Sequence, residues 1–134
     1  MKLIVCLDDA GGMMFNHRRQ SRDRVLIADM TRHTQNASLL VSPYSAPLFD
    51  ESTPHLRVVP DPLAIAKCDD YCFLEDTPLP PTLDAIDELI IYRWNRRYPS
   101  DVCFTCDTAA FTLAKSCEFA GSSHDKITKE IWKK

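Results

Sequence analysis

Residues 87–104, DELIIYRWNRRYPSDVCF, hold the pattern on which the fold turns. Leu89–Trp94 is a near-continuous run of apolar and aromatic residues, the mark of a strand covered on both faces as in a parallel sheet. A basic loop follows, closed by Pro99, and Val102–Cys106 is again β-like. Upstream, Pro81–Ile86 reads as a short helix running directly into the Leu89 strand. Tyr71–Leu74, Leu56–Val59, Ser38–Val41 and Lys2–Leu7 repeat the strand signature. Between them lie helix signals: Ser21 as a cap for a helix reaching about His33, Ala46–Phe49 as at most one turn, and Pro62 as a first helical position before Leu63–Ala66. After residue 101 the character changes to strands alone, with Thr112–Phe119 and Ile127–Trp132 joined through a Gly121-Ser122-Ser123 turn. Strands alternating with helices and then a terminal hairpin predict an α/β fold of three layers. A mostly parallel central sheet would carry helices on both faces and a C-terminal antiparallel hairpin at one edge.

With 134 residues, 45% of them hydrophobic and 26% charged, the chain is expected to form one domain over 1–134. No run approaches the ~20 apolar residues that span a bilayer, and MKLIVCLDD is too short and too acidic for a secretory leader. A cytoplasmic protein without membrane contact is expected. The six cysteines then read as reduced thiols. Cys103 and Cys106 have zinc-knuckle spacing, but in an extended segment they face opposite sides and no second pair matches, so no metal is expected.

The stretch LIVCLDDAGGMMFN, residues 3–16, resembles the first strand and active-site loop of the dihydrofolate reductase family, which includes the related reductase domain of riboflavin synthesis. Residues 87–104 are similar to that family's late strand, loop and "G-D-x-x-F" segment, and SCEFAGSSHDKITKEIWKK resembles its closing hairpin. The likeness covers most of the chain through loose motifs. It implies that Asp23 stands where the family holds the pterin ring with an acid, and that Tyr92 replaces the threonine supporting that acid. Read from the residues alone, Asp23 is a carboxylate favourable at a helix N-terminus, or a partner for Arg19 or Arg24, and this reading is preferred over the catalytic one.

The resemblance also implies NADPH, held in the family by a glycine pair after the fourth parallel strand and by a Gly-Arg-Lys-Thr-like segment after the second. Here the first place holds Glu75-Asp76 and the second Ser42-Pro43-Tyr44-Ser45. Proline donates no amide, and a carboxylate ~4 Å from a phosphate is repelled by roughly 4 kcal/mol at an effective dielectric of about 20. The expectation is a domain without a cofactor that has lost NADPH-dependent reduction. An active pterin or pyrimidine reductase would restore NADPH.

Net charge is −3, yet seven of the nine arginines fall in 17–24 and 93–97. The resemblance makes those segments neighbours. Arg18, Arg19, Arg22, Arg24, Arg93, Arg96 and Arg97, interleaved with Trp94 and Tyr98, would then form one patch for an anionic ligand such as a nucleotide or RNA. The alternative is that the arginines pair with local acids while their stems cover the core. Asp101, in the same resemblance, reaches across to loop amides around Gly11–Phe15 and couples the two segments. A metal-independent ribonuclease, with His17 and His124 as its acid and base, is a further alternative.

Overall fold

Leu3, Ile4 and Val5 are all buried because their strand lies inside a seven-stranded sheet, with a neighbour on each side. The computed structural model describes residues 1–76 and 79–134. In chain order the elements are β1 (Lys2–Leu7), β2 (Gly12–Phe15), β3 (Arg18–Arg19), α1 (Arg24–His33), β4 (Leu39–Val41), a 3-10 turn (Ala46–Leu48), β5 (Leu56–Val58), α2 (Pro62–Ile65), β6 (Tyr71–Phe73), β7 (Glu88–Arg93), β8 (Val102–Cys103), β9 (Thr112–Phe119) and β10 (Ile127–Lys133). The sheet order is β5-β4-β6-β1-β7-β10-β9. Its first five strands run parallel, and β10 and β9 add the antiparallel hairpin at one edge.

Period-two alternation sorts the buried side chains to two faces. Ile4, Leu39, Val41, Phe73, Ile90 and Tyr92 pack with Leu26 and Met30 of α1. On the other face Leu3, Val5, Leu40, Cys72, Leu89 and Ile91 pack with Leu63 and Ala66 at α2 and with Met13, Leu83 and Phe111. The three-layer, mostly parallel architecture with its C-terminal hairpin is thus present, although most of the second face is covered by loops because α2 is a single turn.

Several local expectations need correction. Residues 81–86 form no helix; Leu83 and Ile86 have the helical spacing but reach the core from a turn closed by Ile86 N donating to Leu83 O. Helix α1 is capped by Asp23 rather than Ser21. The segment 9–20, expected as a loop, contains a hairpin. Asn16 and His17 both adopt positive φ, 52° and 62°, which is the backbone of a tight two-residue turn whose twist matches the strands. The β-like stretch from Val102 stops at Cys103, and this strand joins β2, outside the main sheet, in a three-stranded sheet β3-β2-β8. That small sheet covers the carboxyl ends of β1 and β7.

Candidate functional site

In open parallel sheets the carboxyl ends of the strands, near the point where strand order reverses, are where ligands bind. Here those ends carry Asp8 after β1, Ser42 after β4, Glu75 and Asp76 after β6, and Trp94 after β7. The side chains of Asp8, Ser42, Glu75 and Asp76 are each engaged by the protein itself. Glu75, about nine-tenths buried, accepts two bonds from the Arg19 guanidinium, at 2.9 and 3.1 Å, and one from Ser45 Oγ at 2.7 Å. Arg19 also donates to Tyr44 O and lies 4.5 Å over the Tyr44 ring. Ser42 Oγ donates to Asp76 at 2.9 Å. The space left among Cys6, Met13, Gln20, Glu75 and Trp94 is about 10 Å³, room for about one water molecule.

Asp8 is the second hub. Its Oδ1 accepts from the amides of Ala10 and Gly12, and its Oδ2 from Gln20 Nε2 and the amide of Tyr98. Burial pushes its pKa up, but these bonds outweigh burial and hold it below the usual carboxylate range. The hairpin is therefore tied to the 94–104 segment, and Asp9 N to Arg96 O and Phe104 N to Gly11 O add backbone bonds between them. The exposed Asp101 carboxylate contributes one link, accepting from Asn16 N at 3.0 Å, just beyond the expected window, while its backbone amide donates to Met14 O. Nothing in the sequence marked Asp8 above its neighbour Asp9.

Asp23 is 2% exposed. Its Oδ1 caps α1 through the amides of Val25 and Leu26, and its Oδ2 accepts from Ser123 N at 2.7 Å and Ser123 Oγ at 2.9 Å. Burial raises its pKa, but the surrounding amides prevail and lower it strongly, so it is an ionised structural carboxylate. It stands immediately before the first helical turn, and Gly121 packs on it so closely that a Cβ there would lie 2.3 Å from Oδ2. Tyr92, 1% exposed, donates to Asp29 at 2.7 Å. Asp29 also meets Lys129 Nζ at 2.8 Å, and Lys129 reaches His33. Burial and the Asp29 charge push the Tyr92 phenol well above its ordinary value. Neither proposed catalytic group reaches open space.

The arginines divide. Arg19 is spent on Glu75. Arg93 pairs with Glu130 at 2.8 Å and lies on the opposite sheet face from Tyr92 and Trp94, as strand alternation requires, so one patch holding all seven does not form. Arg18, Arg22, Arg24, Arg96 and Arg97 are exposed. Trp94 is buried, its ring stacked 4.7 Å from that of His124. Tyr98 OH lies 2.6 Å from His124 Nε2, and Ser123 Oγ lies 2.7 Å from His124 Nδ1. Around this stack opens a recess of about 520 Å³, lined by Trp94, Asn95, Arg96, His124 and Lys126 among others. A groove of about 830 Å³ lies elsewhere, between the outer side of α1 and the 50–55 segment. His17, on the hairpin turn, does not line the recess, and both ring nitrogens of His124 are engaged, so no acid–base histidine pair is assembled there. Among the described residues no group of three potential metal ligands converges, and no helix is long and apolar enough to cross a membrane.

No family model matches the chain, and no curated protein matches it. Among solved structures, dihydrofolate reductase from Enterococcus faecalis, complexed with NADP(H) and RAB-propyl, is similar with a TM-score of 0.68, covering 98% of this chain and 94% of that one. The fold is that of dihydrofolate reductase. At 9% identity the likeness establishes architecture alone. Within a dihydrofolate-reductase-like fold, the strand ends described above carry side chains of Arg19, Ser42, Ser45, Glu75 and Asp76 that bind one another.

Proposed function

We propose that this dihydrofolate-reductase-like protein does not carry out NADPH-dependent reduction and instead binds an anionic ligand, of the nucleotide or RNA class, at the recess between the 94–98 and 122–126 segments. One observation carries the reading: the Arg19–Glu75–Ser45 cluster closes the central cleft with a buried carboxylate that is itself paired. A dinucleotide would have to break a bidentate ion pair and face two acids. The cations left accessible at the recess are Arg96 and Lys126, the latter held only by an exposed contact to Glu118. Arg96 offers a fork suited to phosphate oxygens. Both groups stand beside Trp94.

Tryptophan fluorescence tests the reading directly, because Trp94 touches both the closed cleft and the recess. NADPH is expected to give no saturable quenching at micromolar concentration and no reduction of dihydrofolate. Nucleotides or short RNA are expected to bind with an affinity that falls as salt rises, and Arg96→Ala should flatten that slope by about one unit. Saturable NADPH binding with turnover would overturn the proposal and install the reductase in its place.

A further inference from the structure

Within the recess, the neighbours of His124 fix its tautomer. Ser123 Oγ lies 2.9 Å from Asp23 Oδ2 and 2.9 Å from Arg22 O, both pure acceptors, so its single hydrogen is directed to one of them. The bond between Ser123 Oγ and His124 Nδ1 is then donated by Nδ1–H. Nε2 is left as the acceptor for the Tyr98 hydroxyl, 2.6 Å away. Burial lowers the imidazole pKa; Asp23 pulls the other way, and Arg96 adds to the lowering against Asp125. Asn95, in a left-handed conformation at φ 57°, donates its side-chain amide to Lys126 O and Thr128 Oγ1 and fixes the two walls to each other.

We infer that the recess is a site for a phosphate monoester, the terminal phosphate of a nucleotide or of an RNA end, and that His124 takes up a proton when it binds. The inference rests on the anion-binding reading above and names its ligand group. The charged groups around the ring are Asp23 behind it at 3.9 Å, Arg96 and Tyr98 from the 94–98 segment, and Asp125 and Lys126 from its own segment. Among the lining groups, Arg96, Lys126 and a protonated His124 against Asp125 leave two net positive charges, with Asp23 already matched by the N-terminus of α1 and Glu118 meeting Lys126 only through an exposed contact outside the lining. That balance suits a monoester dianion and over-compensates a diester, which carries one charge. A dianion placed there also reverses the effect of Arg96 on the ring and raises the pKa of His124. The added proton enters at Nε2, the Tyr98 hydroxyl hydrogen rotates away, and the phenol oxygen becomes the acceptor.

Calorimetry with AMP and inorganic phosphate, beside cyclic AMP and adenosine, in buffers of different ionisation enthalpy is the test. At pH 7.5 AMP, whose phosphate with a second pKa of about 6 is already mainly a dianion, should bind with uptake of a fraction of a proton, and cyclic AMP at least about tenfold more weakly. In NMR the His124 ring should titrate at higher pH when AMP is present. Tyr98→Phe removes the oxygen that accepts from the protonated ring, so AMP should bind it with less proton uptake and without the gain in affinity toward acid pH; a merely structural Tyr98 would lower the affinity equally at every pH. RNA with a 5′-phosphate against RNA with a 5′-hydroxyl separates the two sources of the group. Equal binding of AMP and cyclic AMP, or AMP binding with no proton uptake and no change in Arg96→Ala, overturns this inference and leaves anion binding elsewhere standing. Failure of every nucleotide, RNA and phosphate to bind overturns the anion-binding reading itself.

Discussion

Asp23→Asn tests most sharply whether the carboxylate most like a catalytic acid is structural. The wild-type side chain accepts four bonds, two capping α1 and two from Ser123, in a place 2% exposed. Asparagine has one acceptor oxygen. If that oxygen keeps the cap, its NH₂ faces the Ser123 amide across 2.7 Å, donor against donor. If it turns, the cap is lost at ~1 kcal/mol and the Ser123 contacts become neutral. Charge-assisted bonds contribute roughly 1.5–3 kcal/mol and an orphaned buried donor costs about 1–3 kcal/mol, so the variant should lose ~2–4 kcal/mol. At roughly 3–5 °C per kcal/mol for a chain of this size, the midpoint should fall by about 6–20 °C. The folded pKa is depressed, so the carboxylate's contribution is complete above its unfolded value of ~3.9 and is lost as pH falls through the still lower folded value. Urea denaturation should therefore show a constant gap between wild type and variant from neutral pH to about 4, narrowing below. Equal stability within ~0.5 kcal/mol, or a gap that widens toward acid, would refute the structural assignment.

Arg19→Ala should cost about 2–4 kcal/mol by leaving the Glu75 carboxylate buried with Ser45 alone, and adding Glu75→Gln should recover part of it; denaturant midpoints of the single and double variants decide. Gly121→Ala should destabilise by about 1–3 kcal/mol, because its Cβ would meet Asp23 Oδ2 at 2.3 Å and Ile127 Cδ1 at 2.7 Å; a Tm unchanged from wild type would show that the 120–124 turn shifts freely. Asp8→Ala should accelerate amide exchange across 9–20 and 95–100 far more than Asp101→Ala, since Asp8 is buried with four accepted bonds and Asp101 is exposed with one. Equal effects would place the coupling in the backbone bonds between the segments.

The parallel strands were legible because being covered on both faces leaves an unbroken apolar run, as in Leu39–Val41, Tyr71–Phe73 and Leu89–Ile91. The β2–β3 hairpin was not, because its turn is Asn16-His17, without the glycine that usually announces two positive φ values. Residues 81–86 misled because an i, i+3 pair of buried residues is produced equally by a helix and by a turn over a core. At the site, clustering of arginines was visible and their destinations were not. Alternation from Tyr92 and Trp94 already places Arg93 on the other face. The capture of Arg19 by Glu75, by contrast, is a contact across 56 positions that no local pattern encodes.

The two halves of the site follow from a single rearrangement of polar groups. Asp23 is committed to the N-terminus of α1 and to the turn that precedes β10, so the turn bearing Ser123 and His124 is held against the helix start. His124 is thereby placed on Trp94, at the end of β7, and the rigid base of the recess comes from the same carboxylate that is withdrawn from the cleft. At the other end of the cleft, Glu75 holds Arg19 and fixes the β2–β3 hairpin over the strand ends, while Asp8 joins that hairpin to the segment carrying Arg96 and Tyr98. Closing the centre and ordering the recess are thus mechanically linked. Loosening the hairpin through Arg19 should weaken the anion binding proposed at Arg96, although Arg19 itself does not line the recess, because the loosened loop must then be ordered on binding. Retained affinity in Arg19→Ala, measured where that variant is fully folded, would show that the recess is organised by Asp23 and the 122–126 turn alone.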